Sequence, residues 1–256
     1  MRPPLPASPL PPQGTPQGPP RPRIFRAFGV GAVDAAAYAA QGLAAPPALP
    51  CVEASVAHVA ACLAGAAGLT DAPFGGRPVG PWVTHTFVAE LFSAAAARLR
   101  ALGGGLFVAY FCGHGLRRWH PAALDETVEA LCLHDGLFDD LALSRSLAEF
   151  SASDDVVLLV DACYAAGLAA LDRAAAPKAA AAVLLLGAAS EVGATRCEGE
   201  LSVFAGALGR ALRSPPQTYA ALAEALHADV ALRNESVELV ALSEAGARLL
   251  EAPAFA

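Results

Sequence analysis

The sequence lacks three features that would assign the protein to a simple class. It has no cluster of Lys and Arg, and its 256 residues carry a formal net charge of -7, which argues against a nucleic-acid-binding surface. No uncharged apolar run reaches the roughly 20 residues of a transmembrane helix. No positively charged segment followed by an apolar one opens the chain, as it would in a secretory signal. We therefore expect no nucleic-acid partner and no membrane partner.

Cysteine pairs of the C-x-x-C type are also absent. The six cysteines have neither the spacing of a zinc site nor that of a disulfide framework. Without a secretory signal the expected compartment is the reducing cytosol, where cysteines are kept as thiols. We therefore expect a cytoplasmic protein with free thiols, in which Cys51, Cys62, Cys132 and Cys197 are structural.

The composition is that of a folded protein with a Pro-rich start. Hydrophobic residues make up 55% of the chain and charged residues 16%, which is enough apolar surface for a sizeable core. Residues 1–22, MRPPLPASPLPPQGTPQGPPRP, have no apolar period and are predicted to be a disordered or polyproline-like tail. The alternative for this tail is a partner-docking segment or a pro-segment. Residues 23–256 are predicted to form one domain.

Apolar runs typical of buried strands alternate with segments of helical period from Ile24 onward. The predicted strands are RIFRAFGVGAV, GLFVAYF, DDVVLLVDAC, AAVLLLGAAS and VELVALS. The predicted helices are VEASVAHVAACLAGAAG, THTFVAELFSAAAARLRAL, SRSLAEFSA, SVFAGALGRALR and TYAALAEALHADVALR. This alternation predicts an α/β fold with a mostly parallel sheet of about six strands and helices on both faces. In such sheets, functional groups gather beyond the carboxyl ends of the strands.

Two of the predicted strands end in residues that bear chemistry. LFVAYF runs into CGHG, which contains His114, and VVLLV runs into DACY, which contains Cys163. If these strands are parallel neighbours, the two residues meet at one edge of the sheet although they are 163 − 114 = 49 positions apart. An imidazolium neighbour lowers the pKa of a thiol and makes it a nucleophile. Taken alone, Cys163 could be a small buried apolar residue, and His114 could be a turn histidine with its hydrogen bonds made. Together, at matching strand ends, they favour a catalytic pair.

Both strand ends also resemble a known family. YFCGHG resembles the Y-F/Y-S-G-H-G block of the caspase/metacaspase clan of cysteine peptidases, and DACYAAG resembles its D-A/S-C-Y/H-S-G block. A histidine about 50 residues before the cysteine is also typical of caspases. The resemblance extends over roughly residues 24–245 and includes bacterial caspase-like proteins. It implies a caspase-like three-layer sandwich and a cysteine endopeptidase.

The resemblance also implies a role for each residue of the site. His114 is the general base or proton donor, Cys163 is the nucleophile, and the N–H groups of Gly115 and Cys163 form the oxyanion hole. Asp161 matches the acid of the primary specificity pocket, which implies cleavage after Arg or Lys. Caspases that cut after Asp carry glutamine there. The alternative for Asp161 is a strand-end carboxylate that caps a turn.

Three positions depart from the family pattern. Cys112 replaces a serine that often lines the specificity pocket, Ser55 stands near the place of a second pocket acid, and Ala165-Ala166 replaces the usual Ser-Gly. These changes leave the Cys–His pair in place. They also allow an alternative function, a catalytically weak caspase-like module that binds a partner through the Pro-rich tail or the cleft.

Metal binding and self-processing are secondary predictions. LHDGLFDDLAL contains Asp135, Asp139 and Asp140, and in metacaspases a similar acidic loop binds calcium through carboxylate oxygens. The simpler interpretation is a turn at Asp135 followed by a helix cap at Asp139 or Asp140, so no cofactor is expected. Family members are often cut between the nucleophile strand and the next one, where Arg173 and Lys178 would suit an enzyme that cuts after basic residues.

The favoured function is therefore a cytoplasmic caspase-like cysteine endopeptidase. Its partners would be a polypeptide substrate and an activating protein or protease. The resemblance to the caspase/metacaspase clan, and nothing else in the sequence, implies a role in bacterial defence or regulated cell death. A Cys–His hydrolase of the glutamine amidotransferase type ranks last. That class places its cysteine in a G-x-C-x-G elbow before its histidine, whereas here the histidine comes first.

Overall fold

The structure, a computed structural model, describes residues 21–65, 68–71, 78–119, 127–165, 168, 178–189, 196–213, 218–231 and 236–255. The predicted Pro-rich tail lies outside this part of the chain except for its last two residues, and so do Ala166 and Arg173. Among the described residues, no helix is both long enough and apolar enough to cross a lipid bilayer.

Strands and helices alternate along most of the described chain. The strands are β1 (Arg23–Gly29), β2 (Thr70–Asp71), β3 (Gly105–Cys112), β4 (Gly115–Trp119), β5 (Thr127–Cys132), β6 (Leu137–Asp139), β7 (Asp154–Asp161), β8 (Ala182–Ala189), β9 (Cys197–Glu198), β10 (Leu201–Ser202) and β11 (Ser236–Ala241). The helices are α1 (Ala35–Ala40), α2 (Val52–Gly65), α3 (His85–Ala101), α4 (Asp140–Leu147), α5 (Val203–Ala211) and α6 (Tyr219–Ala231), with 3₁₀ turns at Gly80–Trp82 and Glu244–Leu249.

The central sheet has six strands in the order β11-β8-β7-β3-β1-β2. All neighbours in it are parallel except β11, which runs antiparallel to β8. Every residue of β3 and β7 is buried, as expected for Val-, Leu- and Phe-rich strands covered on both faces. The predicted α/β fold with a mostly parallel sheet is confirmed.

Helices cover both faces of this sheet and form two apolar clusters. The first cluster joins the sheet to α2, α5 and α6 through residues such as Val56, Leu208 and Leu226. The second joins the sheet to α3 and α4 through residues such as Leu91 and Leu147. These are the layers of a three-layer α/β arrangement, in which apolar burial from both sides holds the sheet.

Two small sheets were not predicted. β4, β5 and β6 form a three-stranded antiparallel sheet that directly follows β3, and β9 and β10 form a short hairpin. β6, β9 and β10 have only two or three residues, which is too short for an apolar period. β4 (GLRRW) and β5 (TVEALC) are longer but have no regular apolar alternation.

One helix begins earlier than predicted. The segment SRSLAEFSA was expected to be helical, but α4 runs from Asp140 to Leu147. Asp139 is its N-cap and accepts a hydrogen bond from the Ala142 N–H at 2.9 Å. The cap fixes the start of the helix, and the chain turns at residues 148–150.

The expectation that all cysteines are free thiols is wrong for two of them. Cys51 and Cys197 form a disulfide although they are 146 residues apart in sequence. Cys51 directly precedes α2, and Cys197 begins the β9–β10 hairpin. A pairing over this distance leaves no local spacing pattern, because only the folded chain brings the two segments together. Cys62, Cys112, Cys132 and Cys163 form no disulfide.

Candidate active site

The site is built on the carboxyl ends of β3 and β7. These parallel strands are neighbours, and Cys112 lies opposite Asp161 in their register. Beyond the strands the pairing continues, because the Gly113 N–H donates to the Asp161 carbonyl at 3.1 Å. His114 and Cys163 each lie two residues beyond the Cys112–Asp161 pair and therefore occupy matching places at one edge of the sheet.

Gly115 allows the two strand ends to touch. A Cβ atom at this position would collide with the carbonyl oxygen of Cys163, so no side chain fits there. The backbone N–H groups assigned to an oxyanion hole thus belong to two segments in direct contact. Their convergence on one substrate oxygen stays a prediction.

A hydrogen bond to the backbone of Pro47 orients the His114 ring. The residue is 7% exposed, and Nε2 lies 2.7 Å from the carbonyl oxygen of Pro47. A carbonyl can only accept, so we assign the proton of the neutral ring to Nε2. Nδ1 then carries the lone pair. Burial lowers the pKa of His114, which keeps the imidazole neutral near pH 7 and suited to accept a proton.

Cys163 sits at the start of a constrained turn. The cysteine is 5% exposed, and the next residue, Tyr164, has a φ of 56°, a left-handed conformation that costs a non-glycine residue roughly 1–2 kcal/mol. The guanidinium of Arg117 lies 5.0 Å from the Tyr164 ring centroid. Glu129 binds Arg117 at 2.6 Å, so the unpredicted small sheet supports the turn that carries the cysteine.

Asp161 is buried, and its carboxylate accepts hydrogen bonds from neighbouring side chains. It is 1% exposed and accepts hydrogen bonds from the Tyr110 hydroxyl at 2.8 Å and from the Ser202 hydroxyl. Burial raises its pKa to about 6, and the two hydroxyl donors oppose that rise. The residue expected to line a specificity pocket is, in this state, the centre of an internal polar cluster.

Two more polar groups, Cys112 and Ser55, complete this cluster. Cys112 is fully buried, and burial together with the charge of Asp161 raises the pKa of its thiol. Ser55 on α2 accepts a hydrogen bond from the Ser202 N–H at 2.8 Å. Tyr110 also has a raised pKa, first through burial and then through Asp161. We define the Asp161 cluster as Ser55, Tyr110, Cys112, Asp161 and Ser202.

Sequence reasoning did not assign a role to Tyr110 or Ser202. Tyr110 is part of the YFCGHG block, so its proximity to the site was available from the motif. Ser202 caps α5 by accepting from the Ala205 N–H at 3.0 Å, and a Ser before an apolar helix is a recognisable N-cap. Nothing local indicates that the same hydroxyl also reaches Asp161, which lies 41 residues away.

A groove of about 790 Å³ lies near the site. Residues 31–33, residues 48–53 and residues 78–82 contribute to its walls. The second of these segments directly follows Pro47, the residue that binds His114. Trp82 is on the rim with 59% of its surface exposed. The groove therefore adjoins the loop that positions the histidine.

The three candidate calcium ligands, Asp135, Asp139 and Asp140, are not arranged around one common site. Asp139 caps α4, and the Asp135 carboxylate accepts from the His85 N–H at 2.9 Å, at the first residue of α3. Asp140 is buried. Over the described ranges, no group of three or more His, Cys, Asp or Glu side chains is arranged to hold a metal. The helix-cap interpretation of Asp139 is confirmed, and calcium binding stays a hypothesis.

The predicted processing segment is largely outside the described residues. Arg173 falls there, and Lys178 is described and exposed. Self-processing at either residue stays a prediction.

Comparison with known proteins supports the fold alone. No protein-family model matches the chain, and no curated protein matches its sequence. The crystal structure of protein GSU0716 from Geobacter sulfurreducens superposes with a TM-score of 0.70 at 20% sequence identity, over 92% of this chain and 98% of that one. At this identity the match shows a shared α/β architecture and carries no statement about activity.

The role of Asp139 can be tested by stability. We expect Asp139→Ala to lower the free energy of unfolding by about 1 kcal/mol, because the first turn of α4 loses its cap. Urea unfolding monitored by circular dichroism measures this loss, with Glu149→Ala, an exposed acid beyond the helix, as control. If millimolar calcium raised the melting temperature of the wild type but not of Asp139→Ala, Asp139 would instead be a metal ligand.

The buried carboxyl of Asp161 predicts a pH-dependent stability. Its pKa in the folded state is raised from the ordinary 3.8 to about 6, so the fold favours the protonated form. That stabilisation is complete below about pH 4 and is lost as the pH rises through about 6. Relative to Asp161→Asn, the wild type should lose on the order of 3 kcal/mol of unfolding free energy between pH 4 and pH 7.

Urea unfolding of both proteins at several pH values measures this difference. Glu90→Gln, at an exposed position of α3, controls for the loss of one carboxyl. Parallel stability curves for the wild type and Asp161→Asn would contradict the burial of an ionisable Asp161.

Proposed function

We propose that the protein is a cytoplasmic caspase-like cysteine endopeptidase that cleaves after Arg or Lys and serves bacterial defence or regulated cell death. The observation that carries the proposal is the pairing of the two strand ends. His114, oriented by the Pro47 carbonyl at 2.7 Å, lies at the place in the register that matches Cys163 on the neighbouring strand. A neutral, oriented imidazole beside a thiol is the minimal apparatus for thiolate catalysis.

The proposed reaction uses these groups in two steps. Nδ1 of His114 accepts the proton of the Cys163 thiol, and the thiolate attacks the scissile carbonyl carbon. The N–H groups of Gly115 and Cys163 stabilise the oxyanion. The intermediate collapses to a thioester as the amine leaves with the proton from His114. Water, deprotonated by His114, then hydrolyses the thioester and restores the thiol.

Substrate preference follows from Asp161 in this proposal. With a pKa of about 6, its carboxyl is mostly ionised at pH 7.5 and would bind a guanidinium or ammonium by charge-assisted hydrogen bonds. In the described part of the chain, Asp161 is the single acid of the Asp161 cluster, and Ser55 stands near the place where the caspase/metacaspase clan often carries a second one. Because Arg can bind one carboxylate through two N–H groups, we expect Arg to be preferred over Lys.

The groove beside the Pro47 loop supports a polypeptide substrate, although His114, Cys163 and Asp161 are not among its lining residues. Its volume of about 790 Å³ is in the range of sites that bury a small ligand. Trp82 offers an exposed apolar surface at its rim, of the kind that anchors peptide side chains.

The second candidate function is a catalytically weak caspase-like module that regulates a partner by binding it. The low exposure of Cys163 and Asp161 favours this alternative, because a substrate must reach both. An activating protein or protease would reconcile the buried site with peptidase activity by moving the loops around it.

A peptide panel tests the proposed function. The panel varies Arg, Lys and Asp at the residue before the scissile bond and includes citrulline, the uncharged isostere of Arg. We expect turnover with Arg and Lys, little with citrulline or Asp, and a loss of at least about 10³-fold in kcat for Cys163→Ala and His114→Ala. Cys62→Ser, which removes a free thiol on α2, is the matched control and should retain activity.

Turnover that survives Cys163→Ala would overturn the mechanism. A preference for Asp would overturn the role of Asp161. The binding-module function would be favoured if neither turnover nor covalent labelling of Cys163 occurred with any peptide.

A further inference from the structure

The Cys51–Cys197 disulfide ties together the two segments that hold Ser202. Cys51 is buried, and its carbonyl accepts from the Ser55 N–H at 2.9 Å in the first turn of α2. Cys197 is exposed and lies opposite Ser202 in the β9–β10 hairpin. The disulfide therefore lies between the helix that carries Ser55 and the hairpin that carries Ser202.

Ser202 is itself shared between these segments and the candidate site. Its N–H donates to the Ser55 hydroxyl at 2.8 Å, and its hydroxyl donates to the Asp161 carboxylate. The Val203 N–H donates to the Arg196 carbonyl at 2.9 Å and closes the hairpin. Displacement of the hairpin from α2 would thus remove a donor from Asp161 and uncover the carboxylate.

We propose that Ser202 is a positioning residue for Asp161, and that the Cys51–Cys197 disulfide is a redox latch that decides whether Asp161 can bind a basic substrate side chain. This inference rests on the proposed function for its substrate class. With the disulfide formed, Ser202 and Tyr110 keep the carboxylate internal. With the disulfide reduced, hydrogen bonds to Ser55, to Asp161 and to the first turn of α5 still hold Ser202. The covalent tie between the hairpin and α2 is gone, and the hairpin can open.

The redox step is a thiol–disulfide exchange with a dithiol reductant. A thiolate of the dithiol attacks the sulfur of the exposed Cys197, the Sγ–Sγ bond breaks, and Cys51 leaves as a thiolate that takes up a proton. The second thiol of the reductant then attacks the mixed disulfide and releases Cys197. Two electrons and two protons pass from the dithiol, which becomes a cyclic disulfide, to the two cysteines. In a reducing cytosol such a disulfide serves as a sensor of oxidation.

The latch is tested with two electrophilic peptide probes that label Cys163, one with Arg and one with citrulline before the electrophile. The full-length protein is labelled either as oxidised or after treatment with dithiothreitol and desalting under nitrogen. Mass spectrometry gives both labelling rates. We expect reduction to raise the ratio of the Arg rate to the citrulline rate by about 10-fold or more, because a charge-assisted contact becomes available.

Four variants separate the latch from a general effect on folding. Cys51→Ser/Cys197→Ser should show the high ratio with or without dithiothreitol, and Cys62→Ser should respond as the wild type does. Ser202→Ala should raise the ratio in the oxidised protein, whereas Ser202→Thr, which keeps the hydroxyl, should not. A merely structural serine would change both labelling rates equally and leave the ratio unmoved.

Hydrogen exchange supplies a readout that does not depend on catalysis. Reduction should speed amide exchange in residues 196–203 by about 10-fold or more while α3 stays unchanged, because local opening exposes the hairpin. Faster exchange without any labelling of Cys163 would support the latch and overturn the peptidase. Labelling of Cys163 with an unchanged ratio, or exchange unaffected by reduction, would overturn the latch.

Discussion

The parallel pairing of β3 with β7 is the constraint on which the candidate site depends. Their eight-residue register aligns Cys112 with Asp161, and everything beyond that pair follows from it. A shift of one residue would place His114 out of step with Cys163 and turn each inward side chain to the other face of the sheet. Gly115 is part of the same constraint, because its missing side chain lets the chain after β3 rest on the Cys163 carbonyl.

The β3–β7 register also places a carboxyl group, that of Asp161, in the interior of the protein. Burying a carboxyl such as Asp161 is unfavourable unless hydrogen bonds replace its water, and here Tyr110 and Ser202 supply them. The raised pKa is the residual cost of that burial. In the proposed function, the same donors would compete with a basic substrate side chain for the carboxylate. Stability of the fold and substrate recognition would then oppose each other at one side chain.

The elements outside the main sheet contact the residues of the candidate site. The small sheet of β4, β5 and β6 supports the turn after Cys163 through Arg117 and Glu129. The β9–β10 hairpin supports Asp161 through Ser202. The similarity to the Geobacter sulfurreducens structure extends over most of both chains at 20% identity, as expected when packing constrains the fold more tightly than it constrains individual residues.

The sequence by itself determined the layered α/β fold, most of the strands and helices of the central sheet, and the two strand ends at which chemistry is expected. Apolar periodicity is a local property, so β3, β7, β8 and the helices that cover them could be predicted. The strands of the small sheets could not, because β6, β9 and β10 have too few residues for a period and β4 and β5 have no regular apolar alternation. Only the tertiary structure decided that Cys51 pairs with Cys197, that Pro47 orients His114, and that Ser202 reaches Asp161. Each of these contacts joins segments at least 41 residues apart, and long-range contacts of single residues leave no pattern in the chain.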